Sequence, residues 1–198
     1  MDLQNQTQFI LASASPRRRR LLQQAGYRFE TAPSDVDETA FEQNATDSQQ
    51  LSTQLALIKA ECIARQFPER IVLGADTVVD ADGHIIGKPG DAAHAEQIVR
   101  LLFSRPHKVI TGVALVCIDK AIKIVEVDVT TVYPHPLTEQ QITGHIASGN
   151  WQGKAGAYGI QESGDAFVQR IDGSLTNVMG LPMERVERLL GQVGIHPH

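Results

Sequence analysis

Short apolar runs of strand character alternate along this chain with longer segments of helical period, and that alternation restricts the fold to the α/β class. "QFILAS" (8–13) reads as a short buried strand. Ser15 can cap a helix that begins at Pro16, runs to about Gln24 and stops at Gly26. "YRFETA" (27–32) alternates as a strand does. A long helix is expected over 48–66, with Leu51, Leu55, Ile58 and Cys62 as its apolar stripe. "RIVLGADTVVD" (70–80) reads as a buried strand interrupted at Gly74, Ala75 and Asp76, and "DADG" (80–83) as a hairpin turn. Asp91 can cap a helix through about Phe103. Long strands are expected at 107–118 and 121–133, then a helix with a Thr138–Gln141 capping box that ends near Ser148. Strand signals at 165–171 and 174–179 flank Asp172-Gly173, and Pro182 opens a last helix with Val186, Leu189 and Leu190 inward. The series is not a regular βαβ repeat, so the sheet should be mixed.

Four consecutive arginines, Arg17 to Arg20, follow the first Ser-Pro. A nucleic-acid binder would set such a run within a basic surface. This chain of 198 residues instead has net charge −5 and a pI near 5.8, so the arginines are a local feature. Apolar residues make up 42% of the chain, enough for a sizeable core. Cys62 and Cys117 each lie in an apolar segment and are expected to be reduced core residues, with no zinc pattern. The polar start "MDLQNQTQ" and the lack of any apolar run of membrane-spanning length imply a soluble, cytoplasmic protein with no membrane partner.

Several segments carry the residue types that bind a polyphosphate. A strand that runs through "SASPRR" into a helix leaves backbone N–H groups free at the helix start, and these favour an anion. Arg17 and Arg18 fall in the first turn and carry planar forks that match phosphate oxygens; the alternative is a basic surface turn. Asp76 lies in an otherwise apolar strand. It is a candidate metal ligand or general base, against the alternative of a structural Asp satisfied by backbone N–H groups. Mg²⁺-type ions are held by one or two carboxylates plus water and phosphate, and Glu38 is favoured over Asp35 and Asp37 as the second acid. Lys59, at the edge of the helical stripe, and Lys88, in "GKP", can neutralise phosphates. "GKAGAYGIQ" (153–161) brings backbone close to a ligand, with Tyr158 offering a ring and Gln161 an amide. It is neither a Walker loop nor a dinucleotide fingerprint. One ligand joins these signals: a nucleoside triphosphate with a divalent ion.

On these residues the chain resembles the Maf family of nucleoside triphosphate pyrophosphatases over about residues 8–190. The motifs are "LASASPRRRRLL", "DVDE", "VLGADTVV", "GKP" followed by "DAAHAEQIVRLL", "VITGVAL", "GKAGAYGIQ" and "IDGS…VMGLP". Arg17, Thr77 and Gln161 resemble the subgroup acting on dTTP and UTP; the sister subgroup acting on 7-methyl-GTP typically has Trp, Gln and Glu there. The resemblance implies a single domain over 1–198 with a two-lobed, ITPase-like α/β fold, a central elongated mixed sheet and a cleft between the lobes. It implies Asp76 as general base, with Ser13, Arg18, Glu38, Lys59 and Lys88 lining the site. Arg17, Thr77 and Gln161 would choose the base. It also implies Mg²⁺ or Mn²⁺, held by Glu38 and Asp76, and a homodimer that does not bind nucleic acid. Arg20, where many members have Glu, and "LFSRPH", where "LSGxxH" is usual, depart from the pattern outside these positions. A non-catalytic nucleotide sensor of cell division and 7-methyl-GTP hydrolysis are the alternatives.

Overall fold

The computed structural model describes residues 7–160 and 167–198. In chain order its elements are β1 (Phe9–Leu11), α1 (Pro16–Gln24), β2 (Phe29–Thr31), α2 (Thr39–Asn44), α3 (Ser48–Ala64), β3 (Val72–Ala81) and β4 (His84–Ile86). Then follow α4 (Ala92–Leu102), β5 (His107–Cys117), β6 (Ile122–Pro134), α5 (Glu139–Ser148), β7 (Val168–Asp172), α6 (Leu175–Val178) and α7 (Met183–Gln192). The helix starts follow local chemistry. Side chains of Ser15, Asp47, Asp91 and Thr138 each accept from a backbone N–H three residues on. Gln141 completes the capping box at α5.

Among the described residues, seven strands form one mixed sheet in the order β2-β1-β3-β5-β6-β7, with β4 also on β3. β1 runs parallel to β2 and β3; all other pairs are antiparallel. The two-residue strand period sorts the core between the sheet faces. Phe9, Leu11, Leu73, Val113 and Leu115 pack with Leu22 of α1 and with Val186, Leu189 and Leu190 of α7. Ile10, Val72, Ala114 and Val116 pack with Ala56, Ala60 and Ile63 of α3. A further cluster joins Val79 and Val109 to α4, to Ile142 of α5 and to Tyr158.

Three sequence expectations need correction. β3 is not interrupted, because it pairs with β5 continuously from Val72 to Asp80. The break lies in its other edge: β1 partners Val72 and Leu73, and β4 partners begin only at Val79. Second, the buried face of α3 keeps Leu51 and Leu55 of the expected stripe but not Ile58 and Cys62. Ile58 and Cys62 are half-buried, whereas Ser52, Ala56, Lys59, Ala60 and Ile63 are buried. Cys117 alone of the two free thiols is a core residue. Small side chains let α3 lie directly on the sheet: a Cβ on Gly74 would stand 2.2 Å from the Ala56 carbonyl, and one on Gly112 2.3 Å from that of Ser52. Third, 174–179 contains the helix α6 rather than a strand. Ser174 caps it, and the buried Asn177 amide donates to the Val109 carbonyl and Thr130 Oγ1, so tertiary bonds override the strand propensity.

Candidate active site

The stretch of β3 that is unpaired on one edge, residues 74–78, borders a cavity of about 500 Å³ that includes Asp76 and Thr77 in its lining. β1 ends at Leu11, and the chain leaves the sheet through Ser13 into α1, which opens that gap. Neighbouring strand residues point to opposite faces. Asp76 therefore meets α3, and Thr77 meets α1 and the turn at Gly180.

On the α3 side, Lys59 Nζ lies 2.6 Å from Asp76 Oδ1 and 2.7 Å from Glu38 Oε1, so one buried ammonium bridges two carboxylates. The close approach of α3 over Gly74 brings Lys59 within this reach. Lys88 Nζ, more exposed, is 3.4 Å from Glu38 Oε2. Burial pushes the Glu38 carboxyl up, but the hydrogen bond and charge of Lys59, helped by Lys88, outweigh it and hold the group below its ordinary 4.5.

On the other side, Arg18 joins three segments. Its Nε donates to the Gly180 carbonyl at 2.7 Å. Nη1 donates to Ser13 Oγ at 3.1 Å and to the Ala75 carbonyl, on the open edge of β3, at 2.9 Å. Nη2 donates to Thr77 Oγ1 at 3.0 Å. Four of the five guanidinium N–H groups are thus engaged among the described residues, and one on Nη2 has no partner among them. The bidentate phosphate fork expected of Arg18 would require breaking one of these bonds. Burial lowers its pKa; Asp76 opposes that, Arg17 adds to it, and Glu38 again opposes it. These couplings place both carboxylates and both arginines in one electrostatic site. Arg19 and Arg20 are exposed, as expected.

The glycine-rich run folds back as a 3-10 turn at Ala155–Ala157, with Gly156 at φ 75° and Ala157 at φ 61°. The left-handed conformation of Ala157 is uncommon for a side-chain-bearing residue. Buried contacts hold it: His145 Nε2 donates to the Ala157 carbonyl at 2.8 Å, and the Tyr158 hydroxyl meets His107 Nε2 at 2.7 Å. Tyr158 lines the cavity but packs edge-on against Phe103, 5.2 Å between centroids. Gln161 lies outside the described residues.

The structure therefore brings Ser13, Arg17, Arg18, Glu38, Lys59, Asp76, Thr77 and Lys88 to one cavity. It adds Lys154, a buried lysine in the cavity wall whose ammonium donates to the Asn150 carbonyl. Its position inside "GKAG" was the available signal. It also adds Thr111, buried behind Thr77, which a strand pattern presents only as one more inward residue.

Among the described residues, no three His, Cys, Asp or Glu side chains gather as a metal cage. A Mg²⁺-type ion needs less, namely one or two carboxylates completed by water and phosphate. Asp76 and Glu38 fit that requirement, since each keeps one oxygen outside its short contact with Lys59.

A family model described as Maf-like protein matches residues 8–193. A protein of Symbiobacterium thermophilum named dTTP/UTP pyrophosphatase is 44% identical, covering 94% of this chain and 94% of its own. A Bacillus cereus protein of the same name is 42% identical over 97% of this chain and 93% of its own. One from Syntrophomonas wolfei, also of that name, is 42% identical over 93% and 96%. The Staphylococcus aureus Ham1 protein structure aligns with a TM-score of 0.46 and 12% identity, over 65% of this chain and 72% of that one. By the extent of the family match and the identity to these relatives, the chain belongs to the Maf-like protein family.

Proposed function

We propose that this protein is a nucleoside triphosphate pyrophosphatase that hydrolyses dTTP and UTP to the monophosphate and pyrophosphate. The observation that carries the reading is the buried Lys59 bridge between Asp76 and Glu38, in one cavity with Arg17, Arg18 and Lys88. The relatives named for this activity cover nearly the whole chain. Water adds to the α-phosphorus, the bond from that phosphorus to the α–β bridging oxygen breaks, and pyrophosphate leaves with the bond electrons. Asp76, through the oxygen that Lys59 does not hold, orients the water and accepts its proton. Lys59 and Lys88 meet charge gathering on the departing pyrophosphate, and Arg18 adds its field and one N–H. Glu38 and Asp76 would hold Mg²⁺ or Mn²⁺ against the phosphates, and such an ion supplies charge neutralisation and Lewis acidity. Ser13 and the start of α1 bind phosphate. Arg17, Thr77 and Gln161 set the choice of base, the last on the family resemblance alone.

The same reading makes the chain one two-lobed domain with the site between the lobes, acting in the cytoplasm as a homodimer, without nucleic-acid or membrane partners. No helix among the described residues is long and apolar enough to cross a membrane. The test is pyrophosphate release from dTTP, UTP, CTP and 7-methyl-GTP with Mg²⁺, for wild type and Asp76→Asn. dTTP and UTP should lead, and Asp76→Asn should lose roughly 10²–10⁴-fold in turnover. No release by wild type, or a nearly normal Asp76→Asn, defeats the reading.

A further inference from the structure

The Thr77 hydroxyl is committed within the protein. An arginine N–H can only donate, so Thr77 Oγ1 accepts from Arg18 Nη2 at 3.0 Å. Thr77 Oγ1 is also 3.0 Å from Thr111 Oγ1 and 3.4 Å from the Gly180 carbonyl. Thr111, fully buried, has the Asn177 carbonyl at 3.4 Å for its own proton. The Asn177 side chain is anchored on the Val109 carbonyl and Thr130 Oγ1, at 3.0 and 2.9 Å. A connected chain of hydrogen bonds thus runs from the guanidinium through Thr77 and Thr111 to the backbone of α6. Among the described residues one N–H of Arg18, on Nη2, meets no partner, and its direction is fixed by the guanidinium plane, which Thr77 holds together with Gly180, Ser13 and Ala75. Thr111 is not among the residues that line the cavity, so it acts on a ligand indirectly, and Thr77 is the cavity-lining side chain it touches.

We infer that Thr111 and Thr77 are positioning residues which help aim the remaining Nη2 N–H of Arg18 at a phosphate oxygen, so that Thr77 also acts through the arginine on the phosphate side. The inference rests on the triphosphate reading of the cavity and assigns a phosphate-side role to a position expected to read the base.

Inorganic tripolyphosphate has no base and separates the two roles. Its affinity is measured by titration calorimetry for wild type, Thr77→Val, Thr111→Val, Thr111→Ser, Arg18→Ala and the Arg18→Ala/Thr111→Val double variant, each checked for an intact fold by thermal unfolding. Removing a hydroxyl that orients a charged donor should weaken binding about tenfold in both valine variants. Thr111→Ser keeps the hydroxyl and should stay within about twofold, which a purely packing role would not predict. In the Arg18→Ala background, Thr111→Val should add nothing, because its effect passes through the arginine. Full affinity in Thr77→Val or Thr111→Val overturns the inference. An equal loss on top of Arg18→Ala overturns it too, as does wild type that does not bind tripolyphosphate. Binding without pyrophosphate release from dTTP defeats the hydrolase reading alone, and the relay is then decided by the affinities.

Discussion

Lys59 holds the site's charge balance, and its removal should be felt differently from removal of either partner. Without it, Asp76 and Glu38 lose the one ammonium that contacts both at short range. Breaking a buried pair from one side typically destabilises by about 3–5 kcal/mol, because a charge is left uncompensated. Asp76→Asn, in contrast, leaves Lys59 on Glu38. Urea unfolding should rank Lys59→Met well below Asp76→Asn in stability; the reverse order would mean that the bridge is not where the charge is balanced. Glu38 has a pH signature of its own. Its folded pKa lies below its ordinary 4.5, so its contribution to stability is complete above 4.5 and is lost as pH falls through the lowered folded value. Glu38→Gln should therefore show a shallower fall in Tm below about pH 4.5, and superimposable profiles would contradict the Lys59 pairing. The residue types were readable from sequence, since an Asp in an apolar strand and a Lys beside an apolar stripe each invite a partner. That they are partners of one another was not, because they stand 17 positions apart, across the end of a helix, a loop and the start of a strand.

Between elements, the distance from α3 to the sheet decides whether the site exists. Ser52, Ala56 and Ala60 face Gly74 and Gly112, so the helix backbone touches the strands. Gly74→Ala places a methyl group 2.2 Å from a backbone carbonyl that cannot rotate away. Overpacking of this kind destabilises by about 1–3 kcal/mol or more, and displacing α3 carries Lys59 off Asp76. Chemical denaturation and turnover should fall together. Gly144→Ala is the control: a Cβ there meets nothing within 4 Å, inside α5. It should stabilise by about 0.5–1 kcal/mol without affecting turnover. Helix starts were legible because capping is a contact over three residues, as at Ser15, Asp91 and Thr138. The first half of the α3 stripe, Leu51 and Leu55, was legible, but the second half was not, because apolar periodicity weighs large side chains, whereas close packing here selects small ones. α6 was misread because "SLTNVM" looks extended until Asn177 finds Val109 and Thr130.

For the whole molecule, the four adjacent arginines belong to two environments. Arg17 and Arg18 line the cavity, Arg18 bonded inward to Ser13, β3 and the Gly180 turn, while Arg19 and Arg20 face solvent on a chain of net charge −5. Non-specific duplex binding requires several phosphate contacts and gives Kd values of roughly 10⁻⁴–10⁻⁶ M at physiological salt. Fluorescence anisotropy with a labelled duplex should show no binding in that range; saturable, steeply salt-dependent binding would restore the basic run as a nucleic-acid surface. By itself the sequence determined the α/β class, the capped helix starts, the two long strands β5 and β6 and the residue types around a polyphosphate, because these follow from period, local hydrogen bonding and unit charge. Only the tertiary structure decided that β3 runs unbroken with one edge open, that Lys59 bridges two acids, and that Arg18 keeps a single N–H without a partner among the described residues. Those outcomes depend on which distant groups meet across the gap between β1 and β4, and neither period nor spacing encodes such a meeting.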